Sequence, residues 1–331
     1  MIAERLAALP DAPAALRQHF GTESSRHAAI DLLREAELRQ LVTELSTSSI
    51  SALLMKGAQL AYSHYPRPDL RPRLDTDLLI PEHATAATGA VLARLGYGPA
   101  GHVSGRFVMS QESYVKRRGT QPLHTVDVHW KIANPQVFLG VLSYEDLISS
   151  SVPVPQLGAS ARGLSDVHAL LVACVHRVAH HFDSDRLIWL YDIHLIASRL
   201  GHAQWTAFSA LAVERRVATV CRRSLARAIE AFGADVPSTV LTVLTDASAR
   251  DAEPTARYLA SPSAGLRQVD VLVGDLRALR SWGHRWQLIK EHVFPPARYM
   301  RDVYAPSSRA PLSVLYARRA VLGARKWLVR T

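Results

Sequence analysis

Apolar residues recur at helical spacing over residues 28–45, with glutamate and arginine between them, so residues 1–50 are expected to be helical. Residues 51–55 form a short apolar run that predicts a strand ending at a Lys56-Gly57 turn, and residues 58–65 resemble a helix start. Pro66, Pro68 and Pro72 stop that helix and predict an extended stretch over 66–73. A strand follows over 74–80, closed by Pro81. Side chains alternate along a strand, which puts Asp75 and Asp77 on one face and Leu74, Thr76, Leu78 and Ile80 on the other. Residues 84–95 read as an alanine-rich helix ending in a Gly96-Tyr97-Gly98 turn, and residues 102–118 hold strand-like pieces such as Arg106-Phe107-Val108-Met109. The next clear strand is 125–130, with Thr125, Asp127 and His129 facing away from Val126, Val128 and Trp130.

From about Ser143 the pattern changes. Val152-Pro153-Val154-Pro155 looks like a connector, and the rest is helical in period, without internal repeats. The expected fold is an α/β (α+β) lobe with a short mixed sheet, joined to a mostly α-helical C-terminal lobe. Its expected divisions are residues 1–50, 51–150 and 151–331. A hydrophobic fraction of 48% and a charged fraction of 21% are those of a folded globular protein and exclude a disordered one. The two cysteines, Cys174 and Cys221, lie in helix-like apolar patterns and read as buried thiols, not as a disulfide or a metal motif. The first residues lack the apolar core of a signal peptide, and no run approaches the roughly 18 apolar residues of a membrane span. A cytoplasmic location is the expectation. The net charge of +10 favours anionic partners, but its spread along the chain does not call for an extended nucleic-acid site. Most of that charge is arginine; Lys56, Lys116, Lys131, Lys290 and Lys326 are the lysines, which draws attention to Lys56.

Two aspartates side by side on a strand repel each other unless a cation sits between them. Joined by a third carboxylate from a neighbouring strand, such a pair suits Mg²⁺ or Mn²⁺, hard ions that take oxygen ligands and share them with substrate phosphates. Asp127 is the natural third member. Lys56-Gly57, at the end of the preceding strand, supplies a turn where backbone amides and a cation can meet a triphosphate. Each piece alone is common: Asp-x-Asp occurs on solvent-facing strands, and most Lys-Gly turns are merely turns. The ordered set carries the argument.

In this order the chain resembles the polymerase-β-type nucleotidyltransferase superfamily, and within it a bacterial family of uncharacterised nucleotidyltransferases. The similarity rests on Lys56-Gly57, on Arg71-Pro72 through Asp75-Thr76-Asp77 to Leu79-Ile80, and on Val126-Asp127-Val128-His129-Trp130. It continues in the run from Leu170 through His176 and His180 to Trp189 and Asp192, and in Val293-Phe294-Pro295-Pro296-Ala297-Arg298-Tyr299-Met300, spanning about residues 50–325. The wider superfamily usually has Gly-Ser or Gly-Gly where this chain has Lys56-Gly57, so Lys56 takes the place of a serine contact to phosphate. The resemblance implies Asp75, Asp77 and Asp127 as metal-binding and catalytic carboxylates, with Asp127 helping to deprotonate the acceptor. It implies that Arg71 binds phosphate or braces its loop, and that Lys56, Gly57 and Arg73 belong to the phosphate-binding set. The implied reaction is attack of an acceptor on the α-phosphate of an NTP, with ATP as the commonest donor and pyrophosphate leaving. The acceptor is a peptide, protein, sugar or small molecule.

Other polar residues need weighing separately. His176 and His180 lie opposite the stripe Val167, Leu170, Leu171, Cys174, Val175, Val178, beside Ala169 and Ala173. They face a cleft that binds phosphate or acceptor, pair on a metal, or face solvent. Asp192, in a segment apolar nearly all round, is costly unless paired, so it reads as a brace with a partner such as His176, His180 or Arg186, ahead of a direct catalytic role. His129, on the face of Asp127, contacts nucleotide or acceptor, or simply a neighbour. Residues 312–328, with Arg318, Arg319, Arg325 and Lys326 among apolar residues, pack on the helical lobe or lie on a membrane or partner. Two rival functions remain: a nucleotidyltransferase fold that binds without turnover, and an Asp-x-Asp glycosyltransferase. The second is disfavoured because here the apolar strand follows the acidic pair.

Overall fold

The computed structural model describes residues 9, 11–100, 105–259, 268–304 and 310–328. Helix α1 (Ala14–Thr47) precedes the short strand β1 (Leu53–Leu54), helix α2 (Lys56–Ser63) and a 3-10 turn at Pro68–Leu70. Strand β2 (Thr76–Leu79), helix α3 (Thr85–Arg94) and strands β3 (Tyr97–Pro99), β4 (Gln111–Arg118) and β5 (Gln121–His129) follow. After helix α4 (Tyr144–Ser149), strands β6 (Val152–Pro153) and β7 (Arg162–Gly163) complete a seven-stranded mixed sheet of order β3-β4-β5-β2-β1-β7-β6.

The alternation read from the sequence holds in β2 and β5. Leu78, Val126 and Val128 point into an apolar layer under α1 and α3, while Leu79 joins the core on the opposite face. β2 and β5 are parallel and in register, with Asp77 opposite Asp127 and Leu79 opposite His129.

Several local expectations give way. Lys56-Gly57 opens the first turn of α2 itself, because the helix begins two residues earlier than the apolar pattern suggests. Residues 66–73 are not uniformly extended: Pro68 occupies the first position of the 3-10 turn, where a missing N–H costs nothing. Arg106-Phe107-Val108 is a turn, and the strand starts only at Gln111. Gly96 takes the left-handed φ of +84° that the expected turn needs, but Tyr97 and Gly98 already pair with β4. The expected connector at 152–155 contributes β6, so the sheet runs on past residue 150.

The helical part begins with α5 (Asp166–Ala179), α6 (Leu187–Ala197), α7 (His202–Glu214), α8 (Ala218–Phe232) and α9 (Ser238–Arg250). The predicted stripe of α5 is buried: Leu170, Leu171, Cys174, Val175 and Val178 pack in one cluster with Leu53, Met55 and Leu79 from the sheet side. Cys174 and Cys221 are buried free thiols in that cluster. Helices α10 (Gln268–Ala278), α11 (Trp282–Val293), α12 (Ala297–Tyr304) and α13 (Leu312–Leu328) follow. α13 packs on α12 through Leu315 and Met300, both buried, and Arg318 and Arg319 hydrogen-bond to Tyr304. The side chains of Arg325 and Lys326 lie outside the described residues.

Candidate active site

β1, α2, β2 and β5 converge on a cavity of about 660 Å³. Asp75, Asp77 and Asp127 line it from the sheet; Ala169, Ala173, His176 and His180 line it from the helical side. The cleft-facing reading of α5 therefore fits the geometry, and Ala169 and Ala173 are small where the wall must stay open.

Asp77 is the most constrained carboxylate. Its Oδ1 accepts hydrogen bonds from Lys56 Nζ at 2.8 Å and from His129 Nε2 at 2.8 Å. Burial alone would push its carboxyl up, but the Lys56 ammonium and the bond from His129 outweigh that and hold it well below the usual range. An ionised Asp77 has no proton to give, so His129 Nε2 carries the hydrogen. Burial, then the Lys56 charge, lowers the pKa of His129 and keeps the ring neutral. His129 is buried and absent from the cavity wall, so it positions Asp77 and does not reach into the site.

Asp127 is held differently. Its oxygens accept from neutral donors, Ser113 Oγ at 2.5 Å and Gln111 Nε2 at 3.2 Å. Oxygens of Asp77 and Asp127 lie within 4.8 Å of each other and of a ring nitrogen of His129; the two carboxylates suit a divalent cation, and His129 serves them as the group that positions Asp77. Asp75 sits just outside that group, one residue before β2. Burial, followed by the charges of Asp77 and Asp127, raises its pKa from 3.8 to about 6. Folding therefore favours the protonated form of Asp75. The stability this contributes is complete below the ordinary value and is lost as pH rises through about 6. A cation held here would need the carboxylates ionised, so thermal stabilisation by added Mn²⁺ is expected to be weak below about pH 6 and to grow above it. Melts with and without Mn²⁺ across that range, repeated on Asp75→Asn, check this; the variant should flatten the pH dependence.

Lys56 adopts a positive φ of 54°, a conformation that non-glycine residues seldom hold, at the junction of β1 and α2. That junction aims its side chain at Asp77. Gly57 beside it is needed for space: a Cβ there would lie 3.0 Å from Arg71 Nη2 and 3.1 Å from its Cζ. Arg71 cannot retreat, because its Nε and Nη2 donate to both oxygens of Asp192 at 2.8 Å. Gly57→Ala is expected to cost about 1–3 kcal/mol by overpacking, measurable as a shift in the urea midpoint.

The brace expected of Asp192 is present, but its partners are Arg71 and Tyr65, whose OH donates at 2.8 Å, instead of His176, His180 or Arg186. Arg71 thus braces its loop. Arg73 is likewise engaged inward, with Asp31 at 2.5 Å and Tyr62 OH at 2.7 Å. This ties β2's approach to α1, and Arg73 remains part of the cavity lining. With these pairs neutralised, the cavity wall offers Arg26, Arg34, Lys56 and Arg186 opposite Asp75, Asp77 and Asp127.

Sequence reasoning missed α1 altogether as part of the site. Arg26, Ile30 and Arg34 recur every four residues and line one wall, a spacing that was readable as one helix face. It also missed Arg177, a fully buried arginine. Arg177 donates to the carbonyls of Asp183 and Ser184 and pairs with Asp183 and Asp185. This holds Phe182 and Asp183 at positive φ and delivers His181 and Arg186 to the cavity. His181 stacks on Trp189 at 3.7 Å and contacts His176 at 3.2 Å. Burial, then the Lys56 charge, keeps His176 well below its usual pKa and His180 at about 3, so both rings are neutral.

The family model described as an uncharacterised nucleotidyltransferase matches residues 1–233. The chain belongs to that family. It is a nucleotidyltransferase, an enzyme that transfers phosphorus-containing groups and takes a nucleoside triphosphate. The match takes in α1, the sheet and the helices through α8, so it starts earlier and ends sooner than the span of about 50–325 expected from the motifs. All three carboxylates, Lys56 and the Arg71–Asp192 brace lie within it. No curated protein matches the chain.

Proposed function

We propose that this nucleotidyltransferase moves an NMP, AMP by preference, from its NTP to an acceptor hydroxyl at the β2–β5 carboxylates, with Mg²⁺ or Mn²⁺. The observation that carries this reading is the in-register pairing of Asp77 with Asp127, with Asp75 on the same cavity wall and Lys56 reaching Asp77. Asp75, Asp77 and Asp127 would hold the cation. Such an ion supplies charge neutralisation for the triphosphate and activation of the attacking oxygen.

The chain's own residues do the rest. Arg34, Arg26 and Arg186 draw the triphosphate's charge into the cavity, and Lys56 is placed between the phosphates and Asp77. Asp127, bonded only by neutral donors, accepts the proton of the acceptor hydroxyl. That oxygen bonds to the α-phosphorus, the bond from the α-phosphorus to the oxygen bridging it to the β-phosphate breaks, and pyrophosphate leaves. His129 keeps Asp77 oriented throughout, and the neutral His176 and His180 offer ring nitrogens to the nucleotide or acceptor. His176 Nδ1 and His180 Nε2 are buried polar atoms with no partner among the described residues, as expected of groups awaiting a ligand.

The acceptor is a peptide, protein, sugar or small molecule. The test is incubation of the protein with each NTP and either cation, following pyrophosphate release and labelled-NMP attachment to the protein itself or to candidate acceptors. Release with ATP above the other nucleotides supports the reading. Tight binding of NTP with no release in the presence of a broad acceptor panel would turn it toward a non-catalytic binding role.

A further inference from the structure

Charge is distributed unevenly along the chain. Residues 268–331 hold twelve arginines and lysines against four aspartates and glutamates, so most of the net +10 belongs to this C-terminal stretch. The same stretch holds three of the six tryptophans, and it lies beyond the region matched by the family model.

α11 is anchored on its inner face and, at its C-terminal end, against α13, where Arg319 donates to the His292 carbonyl and Phe294 meets Tyr316. Leu288 is fully buried, and Glu291 Oε2 accepts the backbone N–H of Phe107 at 2.7 Å and of Val108 at 3.3 Å. The other side carries Trp282, Trp286, Ile289 and Val293. Their spacing of four, three and four residues forms a single stripe on a helix of 3.6 residues per turn. The stripe is turned outward: Trp282 is 80% exposed, Trp286 68% and Val293 52%, and Phe294 continues it at 60%. Arg285 and Lys290 flank it on opposite sides, and the Arg285 guanidinium lies 4.8 Å from the Trp282 ring. Contiguous exposed aromatic surface of this kind marks an interaction site.

The arrangement of charge selects the partner. An apolar stripe of tryptophans bordered by cations is the pattern of a helix lying in a bilayer surface. There the indoles sit at headgroup depth and the cations meet lipid phosphates. A nucleic-acid track would instead put the cations along the middle of the face, with separated aromatics as stacking platforms. No helix among the described residues is long and apolar enough to cross a membrane, so the contact is with the surface.

We propose that the outward face of α11 docks the protein on an anionic bilayer, with Trp282, Trp286 and Val293 among the headgroups and Arg285 and Lys290 against lipid phosphate. This surface is independent of the nucleotidyl-transfer chemistry and stands or falls without it.

The test uses the full chain with vesicles of phosphatidylcholine alone, or with about one-third phosphatidylglycerol. Co-sedimentation and the shift of tryptophan emission are the readouts. Binding to the anionic vesicles with a blue shift is expected. It should weaken markedly at about 1 M salt, where screening shortens to roughly 3 Å. Trp282→Ser combined with Trp286→Ser should reduce it by about tenfold or more, and Lys290→Glu should reduce it without abolishing the blue shift. Both tryptophans are exposed, so an unchanged melting temperature will show that the variant is folded. Failure to bind anionic vesicles overturns the proposal, as does equal binding by the double variant. Two other outcomes also overturn it: preferential capture of a single-stranded oligonucleotide, or a dimer that the tryptophan substitutions dissolve.

Discussion

Asp77→Asn should lower pyrophosphate release by about a hundredfold or more while the protein stays folded. An asparagine oxygen can still accept from Lys56 and His129, so the local hydrogen bonds survive. The charge does not survive. Without it the largely buried Lys56 ammonium loses the carboxylate it bonds, and the proposed cation loses one of the carboxylates that would hold it. Mn²⁺ affinity should therefore fall together with turnover. Asp127→Asn makes the contrasting case: Ser113 and Gln111 still have an acceptor, but the proton of the attacking hydroxyl has nowhere to go, so turnover falls further than Mn²⁺ affinity. Unchanged Mn²⁺ binding and pyrophosphate release in Asp77→Asn would remove the carboxylates from the proposed chemistry.

The largest effect on stability is expected at Asp192. Removing it in Asp192→Ala leaves the Arg71 guanidinium buried without its counter-charge and strips Tyr65 of its acceptor, at a cost of about 3–5 kcal/mol. The cost reflects an orphaned charge more than the intrinsic worth of the pair. A double variant, Asp192→Leu with Arg71→Met, should accordingly lose less than Asp192→Ala alone. Urea unfolding of wild type, Asp192→Ala, Asp192→Leu, Arg71→Met and the double variant measures the difference, and additivity of the Leu and Met single changes in the double would refute coupling.

What was legible in the sequence was whatever depends on local period. Alternation placed Asp75 and Asp77 on one face and Asp127 and His129 on another strand's face, and helical spacing put His176 and His180 beside Ala169 and Ala173. Sequence distance hid the rest. Arg71 and Arg73 look like exposed phosphate binders in a proline-rich stretch; their partners, Asp192 and Asp31, lie far along the chain in either direction. The register that sets Asp77 against Asp127 is a property of the sheet, since a slip of one residue would turn one carboxylate to the other face. His129 looked like a ligand contact because its face was right, but its depth could not be read from alternation alone. α1 was recognised as a helix, yet nothing within it announces which wall it will form. Lys56 was singled out for its rarity among cations; the strained backbone that aims it belongs to a strand–helix junction whose exact step the apolar pattern missed by two residues.

The cluster that joins the sheet to the helical part has a consequence for how substrates enter. Leu53, Met55 and Leu79 from the sheet side pack in one body with Leu170, Val175 and Ile193 from the helices, and Arg71 is clasped to Asp192 across the same boundary. Swinging the two walls apart would expose that apolar surface and break the clasp together, so the mouth of the cleft has its width set when the chain folds. A mouth of fixed width would sort acceptors by size, before any contact with the carboxylates.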